Sequence, residues 1–281
     1  MKIKSVIFAI LIFIQFGYAQ NAEIPESIKE HIKARIDEGF NPSVALAYIE
    51  GEQVSYFNYG NTEVKTGKPV NENTVYEIGS ISKVFTTILL ADEVLKGNMK
   101  LDDPISNYLP KTVSVPQYNG KQITLKDLAT HTSGLPRMPD NFEPADYSNP
   151  FADYTVELLY DFLSSYELQR AIGTQYEYSN LGMGLLGHIL ELHTGKTYEV
   201  LIKNRITEPL GMTMTGITFT DAMKVNLALG HNEQLEVVSN WDINSLAGAG
   251  AIRSSTSDMV KFIKANIDTN DTSLNKAMKL S

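Results

Sequence analysis

The chain contains no cysteine. That absence removes disulfides, thiolate metal sites, iron–sulfur clusters and a cysteine nucleophile together. Surplus basic charge is missing as well: 24 Lys and Arg stand against 33 Asp and Glu, a net charge of −9. Such a balance argues against nucleic acid or an anionic membrane surface as the main partner. No spacing of His, Asp and Glu suggests a metal cage, so no metal is expected. Internal repeats, low-complexity tracts and long linkers are also lacking. What is left is an ordinary globular composition, 43% hydrophobic and 20% charged. At 281 residues the chain can bury a sizeable core without staples.

Residues 1–19 differ from the rest. Lys2 and Lys4 make a short positive start, an apolar run follows from Val6 to Phe16, and Gly17-Tyr18-Ala19 supplies the small residues a signal peptidase accepts. The run is shorter than the ~20 residues a bilayer span needs. It reads as an export signal removed before Gln20, with a buried helix as the alternative. With no cysteine after it, a lipoprotein anchor is excluded and no stable membrane anchor is expected. The mature protein is expected in the periplasm or outside the cell. Without Lys2 and Lys4 it has 22 basic residues against 33 acidic ones, a charge of −11.

Further on, Ile28, Ile32 and Ile36 mark an amphipathic helix ending near Gly39. Ser43–Ile49 and Gln53–Tyr59 read as an antiparallel hairpin. After Val75–Ile78 a long apolar helix is predicted over Ser82–Lys96, closed by Gly97. Thr124, with Asp127 three residues on, starts another helix with a capping-box pattern. Helices follow at Tyr154–Ser165, Leu181–His193, Tyr198–Ile206 and Ser257–Ile267, the last capped by Thr256 or Ser255. An early hairpin followed by many helices is the order of an α+β layered domain. The further strands that a hairpin needs to build a sheet are not evident before Ser281.

Tyr76-Glu77-Ile78-Gly79-Ser80-Ile81-Ser82-Lys83 is the most informative stretch. Ser80 sits where the chain turns into the apolar helix, whose N-terminus offers unpaired N–H groups and partial positive charge. Lys83, three residues on, shares its face. A lysine whose pKa is depressed by burial or by other cations can take the serine proton and make it a nucleophile. Taken alone, the same pair also fits a helix cap and a solvated lysine.

The whole octapeptide resembles the active-site signature of class C β-lactamases and their relatives: Phe or Tyr, Glu, aliphatic, Gly, Ser, variable, Ser, Lys. The resemblance implies that Ser80 is the nucleophile, Lys83 its partner, and Ser82 only a small residue between them. The family's second box, Tyr-x-Asn, is matched by Tyr178-Ser179-Asn180. There Tyr178 would shuttle protons and Asn180 would orient a substrate amide; the alternative is a packed loop tyrosine with Asn180 capping the next helix. His131-Thr132-Ser133-Gly134-Leu135, Ile206–Met212 and Ala247–Ser254 resemble other family segments, and His131 is read as structural. The resemblance runs from about residue 43 to about 267. It implies an α+β fold of the β-lactamase/transpeptidase type, an antiparallel sheet flanked by helices plus a helical lobe, with residues 20–281 as one hydrolase domain and no cofactor.

Three strings are read as decoys. Gly182-x-Gly184-x-x-Gly187 lies inside a helix rather than after a strand, and Gly195-Lys196-Thr197 lacks the first glycine of a phosphate loop. His193-Thr194-Gly195 imitates the family's third box, Lys-Thr-Gly or His-x-Gly, but ends a helix. No credible third box is found, so the domain is expected to lack its C-terminal strands. Three functions follow from the resemblance. The first is a class C-type serine hydrolase that opens β-lactams through a Ser80 acyl-enzyme. The second is a D-peptidase or carboxylesterase with the same chemistry. The third is a non-catalytic penicillin-binding module or inactive fragment.

Overall fold

A computed structural model describes residues 22–281; the export signal read at residues 1–19 lies outside them. Helix α1 (Glu26–Asp37) precedes the hairpin of β1 (Ser43–Glu50) and β2 (Gln53–Gly60). Strand β3 (Val75–Glu77) and a 3-10 turn (Gly79–Ile81) then lead directly into α2 (Ser82–Leu95). A small ladder, β4 (Gln117–Tyr118) and β5 (Lys121–Gln122), opens the helical lobe of α3 (Leu125–Ala129), α4 (Val156–Ser165), α5 (Asn180–Thr194) and α6 (Tyr198–Ile202). After α6 come a π-helical turn (Lys203–Thr207), α7 (Asp221–Val225), and the ladder of β6 (Gly230–His231) and β7 (Val237–Val238). The chain closes with α8 (Ala247–Gly250), β8 (Arg253–Ser255), α9 (Thr256–Ile267) and α10 (Ser273–Leu280).

The expected α+β class is therefore met by antiparallel strand pairs, helices that pack on them, and a helical lobe. Among the described residues the strands pair two at a time, β1 with β2 and β3 with β8 among them. The second pair corrects the reading that no later strand is evident. Arg253–Ser255 joins β3 through Val75↔Ser255 and Glu77↔Arg253, a partner too short for any alternating pattern. Helix α9 packs on β1 and α1 on β2.

Two apolar helices make the centre. Leu181 to Leu190 of α5 are all buried, as expected of a helix that is hydrophobic around its whole circumference. The face of α2 formed by Phe85, Ile88 and Leu89 meets the same core, and Phe85 stacks on Phe262 of α9 with ring centroids 4.3 Å apart. Helix α8 presses against α5 so closely that a Cβ on Gly248 would stand 2.7 Å from the Met183 carbonyl and 3.0 Å from the Gly187 Cα. Gly187, read as part of a false dinucleotide fingerprint, thus serves backbone contact. Thr86 of α2 completes the junction, bonded to the Tyr198 hydroxyl at 2.6 Å and donating to the Gly248 carbonyl at 2.8 Å. These contacts hold the N-termini of α2 and α5 side by side.

Candidate active site

Gly79 takes φ 51°, a conformation disfavoured for residues with a Cβ, and nothing lies within 4 Å of where its Cβ would be. Conformation, not space, is what calls for glycine there. The turn it makes leaves Ser80 exposed at the mouth of α2, while Lys83, one turn on, is only 7% exposed. Ser82 faces inward, and its hydroxyl accepts the Ile252 N–H at 3.1 Å. That engagement suits a structural serine.

The second group of residues arrives from the start of α5. Ser179 is the cap: its hydroxyl accepts the Gly182 N–H at 2.8 Å and donates to the Pro136 carbonyl at 2.7 Å. The alternative in which Asn180 caps the helix is thereby corrected. Because Ser179 takes that task, Asn180 is the first helical residue and its side chain turns to Lys83. His131, at φ 58°, accepts the Ser179 N–H on Nδ1 at 3.1 Å, and its ring lies 4.7 Å from that of Tyr178. Burial, and then the nearby Lys83 charge, lower its pKa. A neutral imidazole is what an accepting Nδ1 requires. His131 therefore holds backbone, in keeping with its structural reading.

Ser80, Lys83, Tyr178 and Asn180 are thus brought together from positions up to a hundred residues apart. Ser80 Oγ receives two donors, Lys83 Nζ at 3.1 Å and Tyr178 Oη at 2.5 Å. Lys83 Nζ also donates to Asn180 Oδ1 at 2.9 Å and to the Ala249 carbonyl at 2.6 Å. Its three ammonium protons are all placed. Asn180 Oδ1 accepts that bond, and its NH₂ faces Met138 Sδ at 3.6 Å, a weak acceptor that a ligand carbonyl can replace.

Electrostatics favour proton movement here. Burial lowers the Lys83 pKa below its ordinary 10.5, and the Arg137 charge lowers it further, against the opposing effect of the Tyr178 phenol. Burial by itself would raise the Tyr178 pKa. The Lys83 ammonium, the Ser80 hydroxyl and the Arg137 guanidinium outweigh it and bring the phenol below 10.0. Two participants escaped the sequence. The Ala249 carbonyl is a backbone group with no residue-type signal, and Arg137, whose guanidinium lies 5.1 Å from the Tyr178 ring centre, is a lone arginine between prolines. Among the described residues no group of three or more His, Asp or Glu could hold a metal ion.

The decoy at His193 lies elsewhere. Its ring meets Glu93 at 3.4 Å and Tyr108 edge-on, at the far end of α5.

A family model described as "Beta-lactamase" matches residues 28–281. A β-lactamase of Escherichia coli K12 is 30% identical over 270 residues, covering 94% of this chain and 67% of its own length. The D-alanyl-D-alanine-carboxypeptidase/endopeptidase AmpH of the same organism is 36% identical over 223 residues, covering 79% of this chain and 56% of its own. This chain thus spans between about half and two thirds of such curated relatives. Among solved structures, a class C β-lactamase of Rhodobacter sphaeroides superposes with a TM-score of 0.76 at 26% identity, over 91% of this chain and 70% of that one. The protein belongs to the serine β-lactamase and penicillin-binding protein family.

Proposed function

We propose that this protein is a serine hydrolase that opens β-lactam rings through an acyl-enzyme on Ser80. One observation carries the reading: a single exposed hydroxyl oxygen, Ser80 Oγ, is flanked at hydrogen-bond distance by both a buried amine and a phenol of lowered pKa. Ser80 Oγ attacks the lactam carbonyl carbon while its proton passes to Lys83, whose amine has first released one of its three protons to solvent, a loss that the lowered pKa favours. The Ser80 N–H, at the positive end of α2, helps hold the oxyanion. Collapse of the tetrahedral adduct breaks the C–N bond. Tyr178 gives its proton to the departing nitrogen and is reprotonated from Lys83. Water then attacks the ester, with the same groups working in reverse, and frees Ser80. Asn180 Nδ2 leaves Met138 for the better acceptor offered by a substrate amide carbonyl.

The same steps hydrolyse a D-alanyl peptide or a small ester, and the 36% identity to AmpH supports that second reading. Residues 1–19 are proposed to direct export and 20–281 to form one hydrolase domain. Among the described residues no helix is long and apolar enough to cross a membrane. Turnover of benzylpenicillin, of a D-Ala-D-Ala peptide and of an activated ester, each followed by mass spectrometry, tests the proposal. Penicillin hydrolysis with a transient adduct is expected. Ester or peptide turnover without penicillin turnover would move the assignment to the second reading, and a permanent penicillin adduct would make the protein a penicillin-binding module.

A further inference from the structure

We propose that Met138 is an oxidation site, where a peroxide-class oxidant forms a sulfoxide that competes with the substrate for Asn180. This rests on the reading in which Asn180 binds a substrate amide, and it gives that site a chemical control. With no cysteine, the chain carries its oxidisable sulfur in nine methionines. Among the described residues five of these are buried, whereas Met138, Met214 and Met259 keep partial exposure. Of the three, Met138 has its sulfur at the site, where Sδ accepts Asn180 Nδ2 at 3.6 Å. Its backbone is held in place just before it. The Pro136 carbonyl accepts the Ser179 hydroxyl at 2.7 Å, and the Arg137 carbonyl accepts the N–H groups of Asn180 at 3.0 Å and Leu181 at 3.2 Å. Met138 cannot withdraw from Asn180 without breaking these bonds to the start of α5.

The chemistry is a two-electron oxygen transfer. The thioether sulfur attacks one oxygen of hydrogen peroxide, the O–O bond breaks and an S–O bond forms. The other oxygen leaves as water, taking the proton from the new sulfoxide oxygen. Sulfur is oxidised, peroxide is reduced, and no further reactant is needed. A thioether is a weak acceptor, whereas oxidation makes the side chain polar and places an accepting oxygen on the sulfur. Asn180 Oδ1 is held by Lys83 Nζ at 2.9 Å, so the amide keeps its direction and its NH₂ still faces position 138. The sulfoxide oxygen therefore takes the donor that a substrate amide carbonyl would use. Lys83 keeps its contacts with Ser80 and the Ala249 carbonyl, so the loss falls on substrate binding and spares the acylation step. One neutral hydrogen bond sets the scale, about twofold to tenfold in affinity. Methionine sulfoxide reductases reverse the change.

Two phenyl esters test this, one of phenylacetylglycine and one of 5-phenylpentanoic acid, which has two methylenes in place of the amide. The readout is the ratio of their kcat/KM values in wild type and Met138→Leu, each before hydrogen peroxide, after it, and after methionine sulfoxide reductases A and B. Peptide mass mapping follows every methionine alongside. In wild type, peroxide should oxidise Met138 and lower the preference for the amide ester about twofold to tenfold, through KM, and the reductases should restore it. In Met138→Leu the ratio should not respond to peroxide. A Met138 that stays reduced while Met214 and Met259 oxidise overturns the proposal. So does an oxidised Met138 with an unmoved ratio, or an equal fall in Met138→Leu. If neither ester acylates Ser80 before oxidation, the acyl-transfer reading fails. If both acylate it equally well, the amide-binding role of Asn180 fails. Either result removes the basis of the oxidation proposal, whereas a clear preference that oxidised Met138 leaves unmoved refutes that proposal alone.

Discussion

Replacing Lys83 separates the chemistry of the site from its architecture. Methionine keeps the apolar stem of Lys83 but removes the ammonium that donates to Ser80, Asn180 and Ala249. The Ala249 and Asn180 carbonyls then lose their donor, at about 1–3 kcal/mol for each acceptor left unsatisfied. Against this, a nearly buried charge no longer has to be desolvated, a return of several kcal/mol. The two effects largely cancel, and Lys83→Met is expected to lose no more than about 2 kcal/mol of unfolding free energy. Catalysis has no such compensation. Loss of the general base is expected to slow acylation about 10²–10⁴-fold, roughly 3–5.5 kcal/mol of barrier. Lys83→Arg supplies the control: it keeps the charge, but a guanidinium stays protonated and cannot act as the base. Urea unfolding gives the first quantity, and single-turnover acylation followed by quenched mass spectrometry gives the second. If either variant, folded to wild-type stability, acylates within about tenfold of wild type, Lys83 is not the base.

Three further perturbations probe the frame around the site. Gly248→Ala places a Cβ 2.7 Å from the Met183 carbonyl; strain of about 1–3 kcal/mol is expected in thermal unfolding, together with slower acylation as Ala249 moves away from Lys83. Unchanged stability and rate would show that the α5–α8 contact is slack. Ser179→Ala loses a helix cap and leaves the Pro136 carbonyl without its donor, for about 2 kcal/mol in denaturant unfolding; a loss below about 0.5 kcal/mol would contradict the capping assignment. In the pH profile of acylation, the rate needs a neutral Lys83 and a protonated Tyr178, so it rises through a midpoint below 10.5 and falls from below 10.0. A neighbouring cation disfavours a second cation and favours a phenolate, so Arg137→Gln raises both pKa values and should carry both limbs to higher pH. A profile that stays put or moves down would refute that coupling.

Much of the frame is legible in residue patterns because it is locally encoded. The helix of Ile28, Ile32 and Ile36, the hairpin, and α2 with Gly97 at φ 75° after it all follow their periodicity. Thr124 and Asp127 form the reciprocal capping box that their spacing implies. Elements that exist only through distant partners are not legible. Strand β8 has three residues and is a strand because β3, nearly 180 positions earlier, pairs with it. Helix α8 is four residues of alanine and glycine, a composition that marks no helix. Helix α10 carries readable signals in retrospect, a Thr272 cap and an apolar face of Leu274, Ala277 and Met278, but eight residues give periodicity little room.

At the site, Ser80 and Lys83 are neighbours by helical spacing, so their meeting could be read directly. Tyr178 and Asn180 reach them only because α5 and α2 share a core, and the sequence points to that meeting through the family resemblance alone. Arg137 carried no signal, and Ala249, although inside the Ala247–Ser254 segment that resembles the family, takes part through a backbone carbonyl that no residue type marks; only packing makes them neighbours of Tyr178 and Lys83.

The account turns on Ser80 as nucleophile. Intact wild-type protein mixed with benzylpenicillin or an activated phenylacetylglycine ester, quenched in acid and digested, should yield one acylated peptide, with the added mass on Ser80. In Ser80→Ala that peptide should be unmodified and turnover lost. Adduct on any other residue, or adduct and turnover surviving in Ser80→Ala, would contradict the account.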